Sequence, residues 1–525
     1  MATRGSSQWA VRPFAVTCLA VSLATAFRLP VVARAGFPVY DGGMFTVMAS
    51  ELVSDHLALP RFTAYNGSEI PFVYPPLGLY VTALIHEATG LPILAIVQWL
   101  PFLLSLAVVA VVASLARMLL DSPRAAAIAA IAFPLFPYSA QWVIMGGGVT
   151  RAFGFLFSLL AVAALVRACR TPRIGSLLAP ALATGAAIAS HPEFGLLALV
   201  SAVFVPLLLA GGTRRLLVAG TASLGGLLLS APWWATALAR FGATPFLDAA
   251  ASTSLSPEGL LSALAIFPFT AEPALHVLGV AGVLGALLLA ASGRALIPVW
   301  LLLSLGLITR NGATPATVPL ALAVGIALDE LILPGAAAVS ARSGRRWAAV
   351  AAPIVIGAWV FGYAVLENWL LLRNAGVLLP VLSEPERQLC GWVADHTPHD
   401  SVFLIVTSCS EVQRDPLVEW FPALSRRVSA VTPQGGEWIG RFGERAELAA
   451  GIKRCQGSGL RCILWQTAKG PRFTDILVGR EPHGPLDVER LRSDLAHSPD
   501  YRVAFDGPGG TVFERRSLAP APPAN

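Results

Sequence analysis

Long apolar runs separated by short arginine-bearing gaps fill residues 1–375, after which the runs shorten and charged residues become frequent. About eleven runs are long and apolar enough to be membrane-crossing helices. They lie at Trp9–Ala33, 92–116, 125–144, 152–168, 174–190, 194–212, 216–238, 274–292, 295–309, 313–333 and 347–372. Two of them, 174–190 and 295–309, are short for a hydrocarbon core ~30 Å thick. The gaps orient the set. With the N-terminus in the cytoplasm, thirteen arginines fall in cytoplasmic segments: Arg4, Arg12, Arg117, Arg124, Arg167, Arg170, Arg173, Arg214, Arg215, Arg294, Arg342, Arg345 and Arg346. Only six (Arg28, Arg34, Arg61, Arg151, Arg240 and Arg310) fall in the longer stretches opposite. This is the positive-inside bias, and an odd number of spans places the chain after about residue 375 outside the cytoplasm.

Residues 1–26 also fit a cleaved signal peptide, with a basic start, an apolar middle and an Ala24-Thr25-Ala26 end. Cleavage would change nothing downstream. Leu77–Ile85 is apolar too, but a span there would reverse the arginine bias, so it is expected as a helix lying on the membrane surface.

Composition agrees with the pattern. The chain has 525 residues, 55% hydrophobic and 13% charged, with a mean hydropathy of +0.67. A soluble enzyme, a coiled coil and a disordered chain are excluded. The net charge of +6 does not mark a nucleic-acid binder, because most arginines before residue 350 sit in the gaps between apolar runs. The expected architecture is a polytopic α-helical membrane protein with a C-terminal extracytoplasmic α/β domain.

That domain covers 376–518, followed by a Pro/Ala-rich tail at 519–525 expected to be disordered. Val402–Thr407, Arg461–Trp465, Tyr501–Phe505 and Thr511–Phe513 read as strands. Glu384–His396, Glu444–Arg454 and Leu486–Leu495 read as helices. Cys390, Cys409, Cys455 and Cys462 lie here, an even number that fits one or two disulfides outside the cytoplasm. Cys455 and Cys462 bracket a turn-like segment that a bond could close. Free thiols and a zinc site stay open as alternatives, although the spacing matches no known finger or ribbon.

The first outer loop, 34–91, is the most informative stretch. Met44–Ala58 has its polar residues on one face at helical spacing and fits a helix along the membrane surface. Asp41 stands just before it, between Tyr40 and Gly42-Gly43. An N-cap or Asx-turn role is the ordinary reading of such an Asp. After the helix come a short polar stretch, the run Pro71-Phe72-Val73-Tyr74-Pro75-Pro76-Leu77, a second surface helix and the next span.

This order resembles the first outer loop of the GT-C superfamily of membrane glycosyltransferases, which includes polyprenyl-phosphate-dependent mannosyl- and aminoarabinosyltransferases. The resemblance covers 1–372 as architecture, with its specific motifs confined to about 40–80. Glu419-Trp420-Phe421-Pro422-Ala423-Leu424 and Gly435-Gly436-Glu437-Trp438 also resemble the tails of uncharacterised bacterial members, where no activity is attached to them. The resemblance implies an inverting transferase of the plasma (inner) membrane. It would move a sugar from a polyprenyl-phosphate donor to a glycan, lipid or protein acceptor on the extracytoplasmic face. The first-loop acid of the family is its catalytic base, and here that residue is Asp41. A hydroxyl acceptor must lose its proton as it attacks the anomeric carbon, and a carboxylate in reach takes it. The leaving phosphate needs donors and cations, not a general acid.

The chain departs from the family in the next outer loop. Met145-Gly146-Gly147-Gly148-Val149-Thr150-Arg151 lacks the second acid of many relatives, which puts a two-acid or metal-dependent mechanism in doubt and leaves divalent-metal dependence open. Glycines at a helix N-terminus with Arg151 make instead a phosphate cradle, against the alternative of a Gly-rich turn and an interface arginine. His191 and Arg310 are further candidates for the donor phosphate, and Tyr40, Tyr74 and Glu193 for the rest of the substrate. For His191 and Arg310 the plainer readings are a turn residue and an interface anchor. No phosphate-binding GxxxxGK[ST] and no HExxH motif occurs. The competing functions are a transporter or lipid flippase, against which no internal repeat is seen, and an inactive relative whose tail binds a partner.

Overall fold

The computed structural model describes residues 12–67, 69–171, 173–252, 270–307, 313–342, 344–374, 376, 379–455, 458–468 and 472–516. The expected span 9–33 is helix α1 (Pro13–Ala35), opened by a proline at its first position and closed by Gly36 at φ 61°. The first outer loop follows. It holds α2 (Gly43–Ser54), a two-stranded β1 (Phe62–Thr63) and β2 (Ile70–Pro71), and α3 (Leu77–Thr89). The helix expected to reach Ala58 stops at Ser54, because His56 and Leu57 turn the chain at positive φ. At 13 residues, α3 is too short to span, in keeping with its placement outside the set of spans.

The remaining membrane helices are α4 (Ile93–Leu119), α5 (Pro123–Ala132), α6 (Gly148–Arg170), α7 (Leu178–Ile188), α8 (Pro192–Leu209), α9 (Gly212–Phe241), the short α10 (Thr244–Ala251), α11 (Val277–Ala291), α12 (Leu296–Leu307), α13 (Ala313–Ala341) and α14 (Arg346–Arg373). Among the described residues, seven helices are long and apolar enough to cross a membrane. They are α1, α4, α6, α8, α9, α13 and α14. Four further expected spans appear as shorter apolar helices. The run 125–144 stops at Ala132, where Pro134 and Pro137 break it into two 3₁₀ turns. Among the described residues, the runs 174–190, 274–292 and 295–309 hold α7, α11 and α12. Conversely, 313–333 is extended to Ala341 through one π-helical turn at Ala327–Ile332.

The C-terminal unit is α/β, as its alternation implied. Its elements are α15 (Glu384–His396), β3 (Val402–Val406), α16 (Pro416–Ser425), β4 (Val428–Ser429), α17 (Phe442–Arg454), α18 (Leu460–Thr467), β5 (Asp475–Gly479), α19 (Glu489–Ala496), β6 (Tyr501–Gly507) and β7 (Gly510–Arg515). The sheet order is β4-β3-β5-β7-β6, parallel across β4, β3 and β5 and antiparallel beyond. Two elements correct the sequence reading. Arg461–Trp465 is helix, not strand: Gly459 at φ 76° starts a turn that buries Ile463 and leaves Trp465 exposed. The strand beside β3 is instead β5, whose five residues are all buried, so it shows a continuous run without alternation.

Two hydrophobic clusters organise the chain. One joins the membrane helices, with Phe133, Phe136, Phe155, Phe194 and Trp300 inside it. The other runs from the first outer loop into the C-terminal sheet, joining Met44, Met48, Leu52, Tyr65 and Phe72 to Phe403, Trp420 and Phe421. The loop and the C-terminal unit therefore share one core.

Candidate active site

Asp41 lies in a turn that the chain must be forced into. Tyr40 before it has φ 64°, and Gly42 after it has φ 128°. Asp41 does not cap α2; Gly42 occupies the cap position, with no side-chain cap bond. The carboxylate turns instead toward the second outer loop. Its Oδ1 accepts the Gly147 N–H at 2.9 Å, and its Oδ2 is paired with Arg151 Nη2. Both partners are largely buried, which strengthens the pair.

The glycine run makes this approach possible. A β-carbon at Gly146 would collide with the Asp41 carbonyl, and one at Gly147 with the Asp41 carboxylate and the Arg151 guanidinium. Arg151 also lies 5.5 Å from the Trp142 ring, which itself meets Tyr40 edge-on at 6.1 Å. Arg151 Nε is buried and has no partner among the described residues.

Tyr74 extends the site along α6. Its hydroxyl is 3.4 Å from Thr150 Oγ1, and its ring meets His191 at 6.1 Å, Phe45 at 4.9 Å and Trp438 at 5.7 Å. Burial raises the Tyr74 hydroxyl above its ordinary range. The Leu77 N–H donates to the Ala189 carbonyl at 2.8 Å, which ties the Pro-Pro-Leu segment to the turn carrying His191. Half-buried Glu193 acts on Tyr74 electrostatically. Tyr40, Asp41, Tyr74, Arg151 and His191 are thus brought together from three separate parts of the chain, with Glu193 acting on Tyr74 electrostatically. Arg310 lies outside the described residues.

Sequence reasoning assigned no role to the third side of the site. Glu419, on α16, accepts the Gly42 N–H at 3.3 Å through Oε1, and Trp420 Nε1 donates to the Tyr40 carbonyl at 3.0 Å. The Tyr65 hydroxyl donates to the Glu419 carbonyl at 2.7 Å. Burial first, and then the nearby Asp41 charge, push the Glu419 carboxyl up to about 8. Its segment had been noticed only as a resemblance, since nothing local marks a glutamate for burial.

Other polar side chains hold backbone groups or pair with each other. Arg240 clamps the Leu59 and Pro60 carbonyls, both at 3.0 Å, consistent with an anchoring role. Glu367 accepts the Ala274 and Leu275 N–H groups. Cys455 and Cys462 form a disulfide. Cys390 and Cys409 are corrected from disulfide candidates to buried free thiols: Cys390 packs into the sheet core from α15, and Cys409 Sγ contacts the Glu411 carbonyl at 3.2 Å. Both Asp41 oxygens are engaged, and no cluster of three or more His, Cys, Asp or Glu residues occurs among the described residues.

No family model and no curated protein matches the chain. Solved structures do. The oligosaccharyltransferase AglB from Archaeoglobus fulgidus, in complex with an inhibitory peptide and a dolichol-phosphate, matches with a TM-score of 0.58 and 13% identity, covering 90% of this chain and 70% of that one. The mycobacterial arabinofuranosyltransferase AftD matches with a TM-score of 0.57 and 16% identity over 98% of this chain, which spans 40% of AftD. ArnT from Cupriavidus metallidurans in the apo state matches with a TM-score of 0.51 and 16% identity, covering 96% of this chain and 97% of that one. The chain is a polytopic membrane protein with the GT-C fold.

Proposed function

We propose that this protein is an integral membrane glycosyltransferase that moves a sugar from a polyprenyl-phosphate donor to an acceptor on the extracytoplasmic face, with inversion. The observation that carries the reading is the placement of Asp41 against the Gly147 N–H and Arg151 in a GT-C fold. Asp41 accepts the proton of the acceptor hydroxyl as the new bond forms at the anomeric carbon and the bond to the phosphate oxygen breaks. Arg151 and the N-terminus of α6 receive the charge of the departing phosphate, so the guanidinium that Asp41 holds at rest is shared with the donor. His191 and Tyr74 line the same side.

A mostly apolar cavity of about 140 Å³, lined by Phe27, Val31, Ile144, Leu371 and Leu379 with Arg28, Gln141 and Asn368 among them, suits the first isoprene units of the lipid. Complex formation between dolichol-phosphate and a structural neighbour supports a lipid-phosphate donor. A polar cleft of about 490 Å³ between the first outer loop and the C-terminal unit, lined by Asn66, Glu69, Arg441 and Arg445, offers hydrogen bonds to a hydroxyl-bearing acceptor. The arginine distribution supports a location of this face, and of the C-terminal domain, outside the cytoplasm.

The test is release of free polyprenyl phosphate by the purified, reconstituted protein, given a panel of polyprenyl-phosphate sugars and cell-envelope acceptors. The wild type should release it and Asp41→Asn should not, with donor binding retained. Wild-type turnover by Asp41→Asn would refute the role of Asp41.

A further inference from the structure

Two consecutive side chains of the C-terminal domain grip the backbone on either side of Asp41. Trp420 binds the Tyr40 carbonyl, and Glu419 binds the Gly42 N–H. The turn they hold has positive φ at both Tyr40 and Gly42, a conformation that persists only where its surroundings impose it. The grip is close-packed. A β-carbon at Gly43 would stand 2.9 Å from the Glu419 carbonyl oxygen and 3.3 Å from the Ala423 side chain. Glu419 itself is 5% exposed, and its Oε2 has no partner among the described residues.

The groups acting on Glu419 are mostly acids. Asp41 and Glu437 repel its charged form, and the Tyr40 and Tyr65 hydroxyls lie within its field. The Gly42 and Gly43 N–H groups favour ionisation but are outweighed by burial. Two guanidiniums act on the turn through Tyr40, Arg414 and Arg151, and Arg151 is engaged by Asp41. A carboxyl so placed keeps its proton at neutral pH, and burial with its neighbours holds it up to about 8.

We propose that Glu419 is the second acid of this site, a proton-bearing positioning residue by which the C-terminal domain holds Asp41 in its turn, and that its ionisation releases the turn and stops transfer. The proposal rests on the reading of the chain as a transferase with Asp41 as its base. While Glu419 is neutral, Asp41 is the only anion on this turn, and Arg151 balances it. Once Glu419 ionises, its charge is repelled by Asp41 and Glu437, and α16 and the loop are driven apart.

The test compares full-length wild type, Glu419→Gln and Glu419→Ala in kcat, donor KM and hydrogen exchange of the 37–48 segment, corrected for intrinsic pH dependence. Wild-type kcat should fall about tenfold between pH 7 and pH 9, the loss expected for one group titrating at about 8. Donor KM should hold steady. Glu419→Gln, which mimics the neutral acid, should keep wild-type kcat at pH 7 and show no alkaline fall. Glu419→Ala should lose at least about tenfold in kcat at pH 7, and if it does not fold, the Gln variant carries the test alone. Exchange at 37–48 should rise above pH 8 in the wild type only. An unchanged alkaline fall in Glu419→Gln, or wild-type kcat in Glu419→Ala, overturns the proposal. If no donor is turned over even by the wild type, the transferase reading fails by itself. Exchange then decides the clamp: opening above pH 8 that Glu419→Gln abolishes supports it, and identical exchange in both proteins overturns it.

Discussion

Gly147→Ala separates the geometry of the site from the stability of the fold. Gly147 has φ −63° and ψ −6°, which alanine adopts freely. Replacing glycine at such a position restricts the unfolded chain and stabilises the folded one by about 0.4–1 kcal/mol. The added β-carbon, however, would lie 2.8 and 3.0 Å from the two Asp41 carboxylate oxygens and would overlap the end of Arg151. Those are ends of flexible side chains, so the protein relieves the clash by moving them and not by unfolding. The carboxylate then leaves the Gly147 N–H, now 2.9 Å from Oδ1. A hydrogen bond to a charged group contributes about 1.5–3 kcal/mol. Its loss from the transition state corresponds to a rate reduction of about 10- to 100-fold. The measurement is the initial rate of polyprenyl phosphate release beside a thermal melt, with Gly175→Ala, which meets nothing within 4 Å, as the control. A slowed reaction with an unchanged melting temperature is expected. A Gly147→Ala rate within about twofold of wild type would refute the placement of the working carboxylate against this loop.

Arg151→Ala should raise donor KM by at least about tenfold if this guanidinium receives the donor phosphate as proposed; titration with a labelled polyprenyl-phosphate sugar reads it. Cys455→Ser opens a loop that the disulfide closes over a separation of 7 residues and should destabilise the C-terminal unit by about 2.5 kcal/mol, measured by denaturant melts followed through its tryptophans. Stability should also fall with rising pH. Glu419 holds its proton when folded up to about 8, whereas the unfolded chain releases it near 4.5, so the full stability is present below about 4.5 and up to roughly 5 kcal/mol is lost by the time pH passes 8. His483, raised by its 2.7 Å contact with Glu386, also loses a favourable contribution as pH rises, so the difference between wild type and Glu419→Gln is what isolates Glu419.

Period and charge made much of this architecture readable. The long apolar helices, α15 at Glu384–His396 and the position of Asp41 between a span and an amphipathic helix all follow from local pattern. What stayed hidden was set by distant partners. Hydropathy does not register that Pro134 and Pro137 end a helix inside an apolar run. A strand buried on both faces, like β5, lacks the alternation that reveals an exposed one. Asp41 was legible as a candidate, but whether its carboxylate capped α2 or crossed to Gly147 depended on a loop about a hundred residues away. Glu419 and Trp420 carried no chemical signature at all, because their meaning lies in the backbone groups they meet.

Those meetings span almost the whole chain: Trp420 and Tyr40 are 380 positions apart. At about 5–20 residues per second, synthesis needs roughly 20–80 s between them. For that interval the first outer loop is already made while the helix that will seal it does not yet exist. Its apolar face, with Met44, Met48 and Leu52, must wait for a core supplied last. A ribosome that stalls or terminates before residue 416 therefore leaves a membrane bundle in which the turn carrying Asp41 lacks the two contacts that hold it.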